Sequence, residues 1–131
     1  VVRDATETGL AEAVLEDLRR AAVVARDAAR AGDLDGLGRA MRNNTDAQRR
    51  LHPALVSADA RRLIDLARRH DAAGWKVNGA GGEGGSLTIL CGPGPADRTA
   101  LESAIAATPG CQVMPVQIAA EGLRVTEREG Y

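Results

Sequence analysis

The feature that most limits the fold is a change of hydrophobic period near Gly74. Before it, apolar residues recur every three or four positions, the helical pattern. After it come short apolar, β-branched runs separated by glycine and proline, which suit strands. Helices first and strands second argue for an α+β domain, with N-terminal helices packed against a small, largely antiparallel sheet. The chain has 131 residues, enough for one domain with a modest core. It divides into a helical part over 1–73, a β-loop-β-α-β-β part over 74–126 and a loose tail over 127–131.

The spacing predicts a helix over 8–31 with Leu10, Val14, Leu18, Ala22, Ala25 and Ala29 on one face. Gly32 ends it and Asp33 caps the next helix. That second helix runs over 34–51 on a seam of Leu34, Leu37, Met41, Asn44, Gln48 and Leu51, and Pro53 stops it. Gly36 and Gly38 lower its intrinsic helicity by up to about 1 kcal/mol each. A third helix fits 57–72, capped by Ser57 or Asp59, with Leu63, Leu66, Ala67 and His70 inward. Strands are expected at 75–78, 86–91, 111–118 and 123–126. A helix at 96–107 turns Leu101, Ala104 and Ile105 inward. Pro115 marks its strand as an edge or a bulge.

Composition narrows the function classes. The net charge of -1 gives no basic field for nucleic acid. No run reaches the roughly 18 apolar residues of a membrane helix, and no signal-peptide pattern is read in these residues. Two cysteines, Cys91 and Cys111, are too few for a disulfide scaffold and read as buried thiols in a reducing cytoplasm. No His/Cys cluster has metal-ligand spacing, so no metal residues are assigned. Lys76 is the only lysine among 17 basic residues, and it lies beside the glycine-rich segment. The first residue is Val, so part of an encoded protein is expected to precede it.

Residues 79–85 hold five glycines before Ser86: Gly79, Gly81, Gly82, Gly84 and Gly85, with Ala80 and Glu83 between them. Glycine admits positive φ and close ligand approach. Consecutive N–H groups can then form an anion-binding concavity. Gly79, Gly81 and Gly84 satisfy G-x-G-x-x-G, but a strand follows where a dinucleotide site needs a helix. Gly79, Gly84 and Ser86 imitate a Walker loop without its lysine. What remains is a strand–glycine loop–strand unit, either a phosphate cradle or a ligand-free hairpin.

With its flanks, the segment Gly74-Trp75-Lys76-Val77-Asn78-Gly79-Ala80-Gly81-Gly82-Glu83-Gly84-Gly85-Ser86 resembles the third conserved motif of GHMP kinases. Gly32-Asp33-Leu34-Asp35-Gly36-Leu37-Gly38 is similar to the opening of a helix in their C-terminal domain. The stretch from Leu63 through His70 to Gly74 resembles the helix leading into the motif. Val116-Gln117-Ile118 and Glu121-Gly122-Leu123-Arg124-Val125 look like the closing strands of the sugar-phosphate (heptose) kinase branch. The resemblance covers residues 8–126 and implies a ferredoxin-like domain. Glu83 and Asn78 depart from the family pattern, which favours glycine at the first and Ser or Thr at the second.

The resemblance implies the C-terminal half of an ATP- and Mg2+-dependent kinase acting on a sugar or sugar phosphate. Gly79, Ala80, Gly81, Gly82, Gly84 and Gly85 would help shape the phosphate site, with Lys76, Asn78 and Ser86 as accessories. Lys76 reads more simply as a solvated strand-edge lysine. Asn44 and Gln48 would line the substrate cleft. Their plainer role, and the favoured one, is to satisfy one another or nearby backbone. His52 suits a cap or the surface, and His70 a structural role. The N-terminal domain would carry the Pro-x-x-x-Gly-x-x-Ser-Ser loop and the acidic residues. Neither is present in this chain, so no catalytic residue is assigned and the chain alone is expected to be inactive. Loss of that partner domain would expose apolar surface and favour a homodimer. The alternative is a stand-alone α+β ligand-binding or regulatory module.

Overall fold

The computed structural model describes residues 5–79 and 84–129. Its order is α1 (Ala5–Ala31), α2 (Leu34–Leu51), a 3-10 turn (Pro53–Leu55), α3 (Ala58–Arg69), β1 (Gly74–Val77), β2 (Leu87–Leu90) and α4 (Pro95–Ala106). The architecture is α+β, four helices with a two-stranded antiparallel sheet.

Local signals set the helix ends. Gly32 takes φ 69, and Asp33 accepts a hydrogen bond from the Gly36 N–H at 2.9 Å. Ser57 Oγ accepts from the Ala60 N–H at 3.1 Å and starts α3. His52 Nδ1 accepts from the Ala54 N–H at 3.1 Å, so this histidine caps the 3-10 turn. His70 instead ends α3: its backbone N–H donates to Leu66 O, and its side chain is half-buried.

Helices α1 and α2 form an antiparallel pair, tied at the far end by Arg50 Nη2 to Asp17 Oδ2 at 2.9 Å. The buried stripe of α1 is Val14, Ala21 and Ala28, seven residues apart. On α2 the buried residues are Gly36, Gly38, Ala40, Thr45, Ala47 and Gln48. The expected seams hold at Val14 and Gln48 and need correction elsewhere. Leu10 and Leu34 are 64% and 58% exposed, and Ala22 and Ala29 are also outside. Backbones in close contact select small residues, here Ala21 and Ala28 in place of Ala22 and Ala29.

The second contact of α2 is with β1. A Cβ on Gly38 would stand 2.5 Å from the Ala73 carbonyl carbon, and one on Gly74 would stand 2.5 Å from Gly38 Cα. Glycine at both positions lets helix and strand backbones touch, which offsets the helicity that Gly38 costs. Thr45 Oγ1 crosses this contact and donates to Trp75 O at 3.0 Å.

A second layer forms where α3 covers the sheet. Val56, Ile64, Ala67, Trp75 and Val77 make the core cluster, with Ala60, Ala72, Leu87 and Ile89 packed against it. Burying each large apolar side chain contributes about 1.5–3 kcal/mol. The inner face of α3 thus centres on Ile64 and Ala67. Leu63, Leu66 and His70, expected inward, are only half-buried. Helix α4 buries Leu101 and Ile105 as its spacing predicts, with Ala104 half-buried.

The strands expected at 111–118 and 123–126 do not form: residues 111–129 hold neither strand nor helix. Met114, Val116, Ile118, Leu123 and Val125 are 65–101% exposed. Alternation and β-branching are local preferences, whereas a strand needs a paired edge elsewhere in the chain. Pro115 also removes a ladder donor in the middle of the run.

Candidate functional site

The hairpin positions the glycine segment. Its register pairs Gly74 with Leu90, Trp75 with Ile89, Lys76 with Thr88 and Val77 with Leu87. The ladder continues one step further, where the Asn78 N–H donates to Ser86 O at 3.0 Å. The chain between Asn78 and Ser86 must therefore leave and return at one point.

Side chains clamp that point. Asn78 Nδ2 donates to Ser86 Oγ at 3.0 Å and to Thr88 Oγ1 at 2.9 Å. Just beyond the clamp, Gly79 has φ 63 and Gly84 has φ 74. Nothing lies within 4 Å of a Cβ built on either one, so glycine is needed there for conformation and not for space. Gly79, Gly84 and Gly85 are exposed. The readings made for Ala80, Gly81, Gly82 and Glu83 fall outside the described residues.

Helix α2 reaches the same place. Gln48 Nε2 donates to Gly79 O at 3.3 Å, and Gln48 is 9% exposed. Asn44 lies one turn earlier on the same face. Among the described residues, Asn44 Oδ1 and Gln48 Oε1 are buried without a hydrogen-bond partner. Each can accept from an N–H or a hydroxyl. The structure therefore joins Gln48 to the glycine segment but gives no bond between Gln48 and Asn44.

Lys76 shares the Asn78 face of β1, since strand residues two apart point the same way. Its Nζ donates to Val77 O at 2.9 Å and the side chain is half-buried, so it is tied to its own strand and not free at a solvated edge.

The clearly shifted titrations lie elsewhere. The Arg19 hydrogen bond holds the Glu16 carboxyl below its ordinary value, and the same bond raises Arg19. Asp59 raises Arg62 and Glu102 raises Arg98 in the same manner. Among the described residues no group of three His, Cys, Asp or Glu could hold a metal ion. Ser57 serves as a cap and Ser86 is held by Asn78. What the arrangement supplies is backbone geometry: a turn anchored at both ends and braced by an amide from α2.

Sequence reasoning missed Thr45, whose hydroxyl joins α2 to β1. A lone threonine among polar helix residues carries no pattern. The partner carbonyl, 30 residues away, is placed by the fold.

Fold and hairpin together define an α+β domain presenting a glycine-rich turn between antiparallel strands. Residues 25–108 match the family described as GHMP kinases C terminal. The match spans more than half of the chain, from the last turns of α1 to the end of α4 with the whole hairpin. The chain belongs to the GHMP kinase C-terminal domain family. No curated protein matches it. The match stops short of residues 116–125, so the features suggesting the heptose branch lie outside it. Among the described residues, no helix is long and apolar enough to cross a membrane.

Proposed function

We propose that this chain is the C-terminal half of an ATP-dependent kinase that phosphorylates a sugar or sugar phosphate. The observation that carries the reading is the hairpin: the glycine-rich turn of the family, anchored by Asn78 and braced by Gln48. Phosphoryl transfer depends mainly on positioning and charge neutralisation. The turn's contribution would be to hold N–H groups towards phosphate oxygens. Gly79 and Gly84 suit this role, because their left-handed backbone reverses the chain without side chains in the way. ATP would supply the phosphoryl group. Mg2+ has no ligand set among the described residues, and its binding is assigned to an N-terminal kinase domain.

Asn44 and Gln48 deepen the reading. Their unpartnered amide oxygens could accept hydrogen bonds from sugar hydroxyls beside the turn. The two free cysteines fit a reducing cytoplasm. The exposed apolar side chains of residues 114–125 would meet the partner domain or, without it, a second copy.

The test starts with the encoding gene. A Pro-x-x-x-Gly-x-x-Ser-Ser loop upstream of Val1, or in a neighbouring gene, is expected. The complete protein should transfer phosphate from ATP to a sugar or sugar phosphate, and the 131-residue chain should not. Absence of such a loop, or transfer by the chain alone, would overturn the proposal.

A further inference from the structure

The side of β1 opposite Lys76 and Asn78 carries a second concentration of polar groups. Trp75 points there, and a cavity of about 570 Å³ lies beside it, lined by Arg39, Arg42, Asn43, Asp46, Arg68 and Trp75. Arg39, Arg42, Asn43 and Asp46 recur three and four apart and share one face of α2. Arg68 comes from the last turn of α3.

The arginines are set by the ring. The guanidinium carbon of Arg42 lies 5.7 Å from the Trp75 ring centroid, and that of Arg68 lies 5.2 Å from it. Both fall within the range of a cation–π contact. Trp75 is 5% exposed, so this platform is fixed by the core beneath it. Stacking restrains the two planar groups before any ligand arrives, which lowers the ordering cost of binding.

Their charge is unmet. Among the described residues, neither Arg39 nor Arg42 forms an ion pair, and Arg68 reaches only Asp65 at 3.6 Å. Arg42 Nε is buried with no hydrogen-bond partner. A buried donor on a charged group is costly unless an acceptor reaches it. Asp46 lines the cavity as the one carboxylate against three guanidiniums. With Asp65 beside Arg68 as well, the surplus lies between one and two positive charges, which suits a phosphate monoester carrying about −1.5 to −2 at neutral pH. The fork of an arginine also fits two phosphate oxygens at once.

We propose that Arg39, Arg42 and Arg68, arranged around Trp75, bind the phosphate group of a small phosphorylated metabolite. This site is separate from the glycine turn and does not depend on the kinase reading.

Trp75 is the only tryptophan, so its fluorescence reports the site directly. The full chain would be titrated with inorganic phosphate, glycerol 3-phosphate, acetate and glycerol at constant ionic strength. Saturable change with the two phosphates and none with acetate or glycerol is expected. R42Q should weaken phosphate binding about tenfold or more, the effect of losing a charge-assisted hydrogen bond. R39Q, at an exposed position that does not stack on the ring, should weaken it by about threefold or more by lost charge. It remains informative if R42Q does not fold. R98Q on α4 should leave binding unchanged. No saturable signal with phosphate, an equal response to acetate, or unchanged binding in R39Q would overturn the proposal.

Discussion

Replacing Gly38 with alanine tests the closest packing in the molecule. Ala is the better helix former, and on propensity alone G38A would stabilise α2 by about 1 kcal/mol. The structure demands the opposite sign. The new Cβ would stand 2.5 Å from Ala73 C and 3.0 Å from Ala73 Cβ, and the carbonyl is backbone that cannot rotate away. Overpacking of this kind costs about 1–3 kcal/mol. Relief requires α2 and β1 to separate, which pulls Thr45 Oγ1 from the Trp75 carbonyl. A buried carbonyl left unpaired adds about 1–3 kcal/mol. Set against the propensity gain, the net loss is about 1–5 kcal/mol. Urea denaturation followed by Trp75 fluorescence and by helical circular dichroism would measure it. The control is G9A, where nothing lies within 4 Å of the added methyl and stability should rise by up to about 1 kcal/mol. A G38A protein as stable as the parent would refute the backbone contact between α2 and β1.

Two further outcomes follow from named contacts. Thr45→Val keeps the shape but removes the donor to Trp75 O, and should cost about 1–3 kcal/mol, read as a fall in thermal midpoint of roughly 4 °C per kcal/mol. Glu16 offers a pH test, because its hydrogen bond to Arg19 holds the folded carboxyl below its ordinary value. The stability it contributes is therefore present above the unfolded value and lost as pH falls through the folded one. The pair is exposed, so Glu16→Gln should flatten the acid limb of a urea-midpoint-against-pH curve only slightly, and a large change would contradict the surface geometry.

Much of the fold was legible because its signals are local. Gly32, Asp33, Ser57 and Pro53 act within a turn of their own positions, and each sets a helix end as the sequence indicates. The strand–glycine–strand order needed only a change of period and two β-branched runs. The partners of each helix were not local. The expected α1 face held Val14 together with Leu10, Ala22 and Ala29, whereas the buried stripe is Val14, Ala21 and Ala28, with Ala40 and Ala47 buried on α2. Close approach favours the smallest side chains, and in an alanine-rich helix the spacing alone does not say which alanines meet a partner.

The same division runs through the candidate sites. Residues 79–85 announce a glycine turn in any context, and the positive φ of Gly79 and Gly84 is the property that makes glycine necessary there. That Gln48 braces the turn follows only from the packing of α2 on β1. The cavity at Trp75 left no trace in an arginine-rich sequence, because Arg42 and Arg68 come from different helices and meet over one ring. The C-terminal run shows the limit from the other side: Val116, Ile118, Leu123 and Val125 have strand chemistry but pair with neither strand of the sheet. Sequence determined where this chain turns and which segments prefer helix or strand, since those choices are made within a few residues. Tertiary structure decided which faces meet, which polar groups find partners and which strands form, since those choices depend on distant surfaces arriving at the same place.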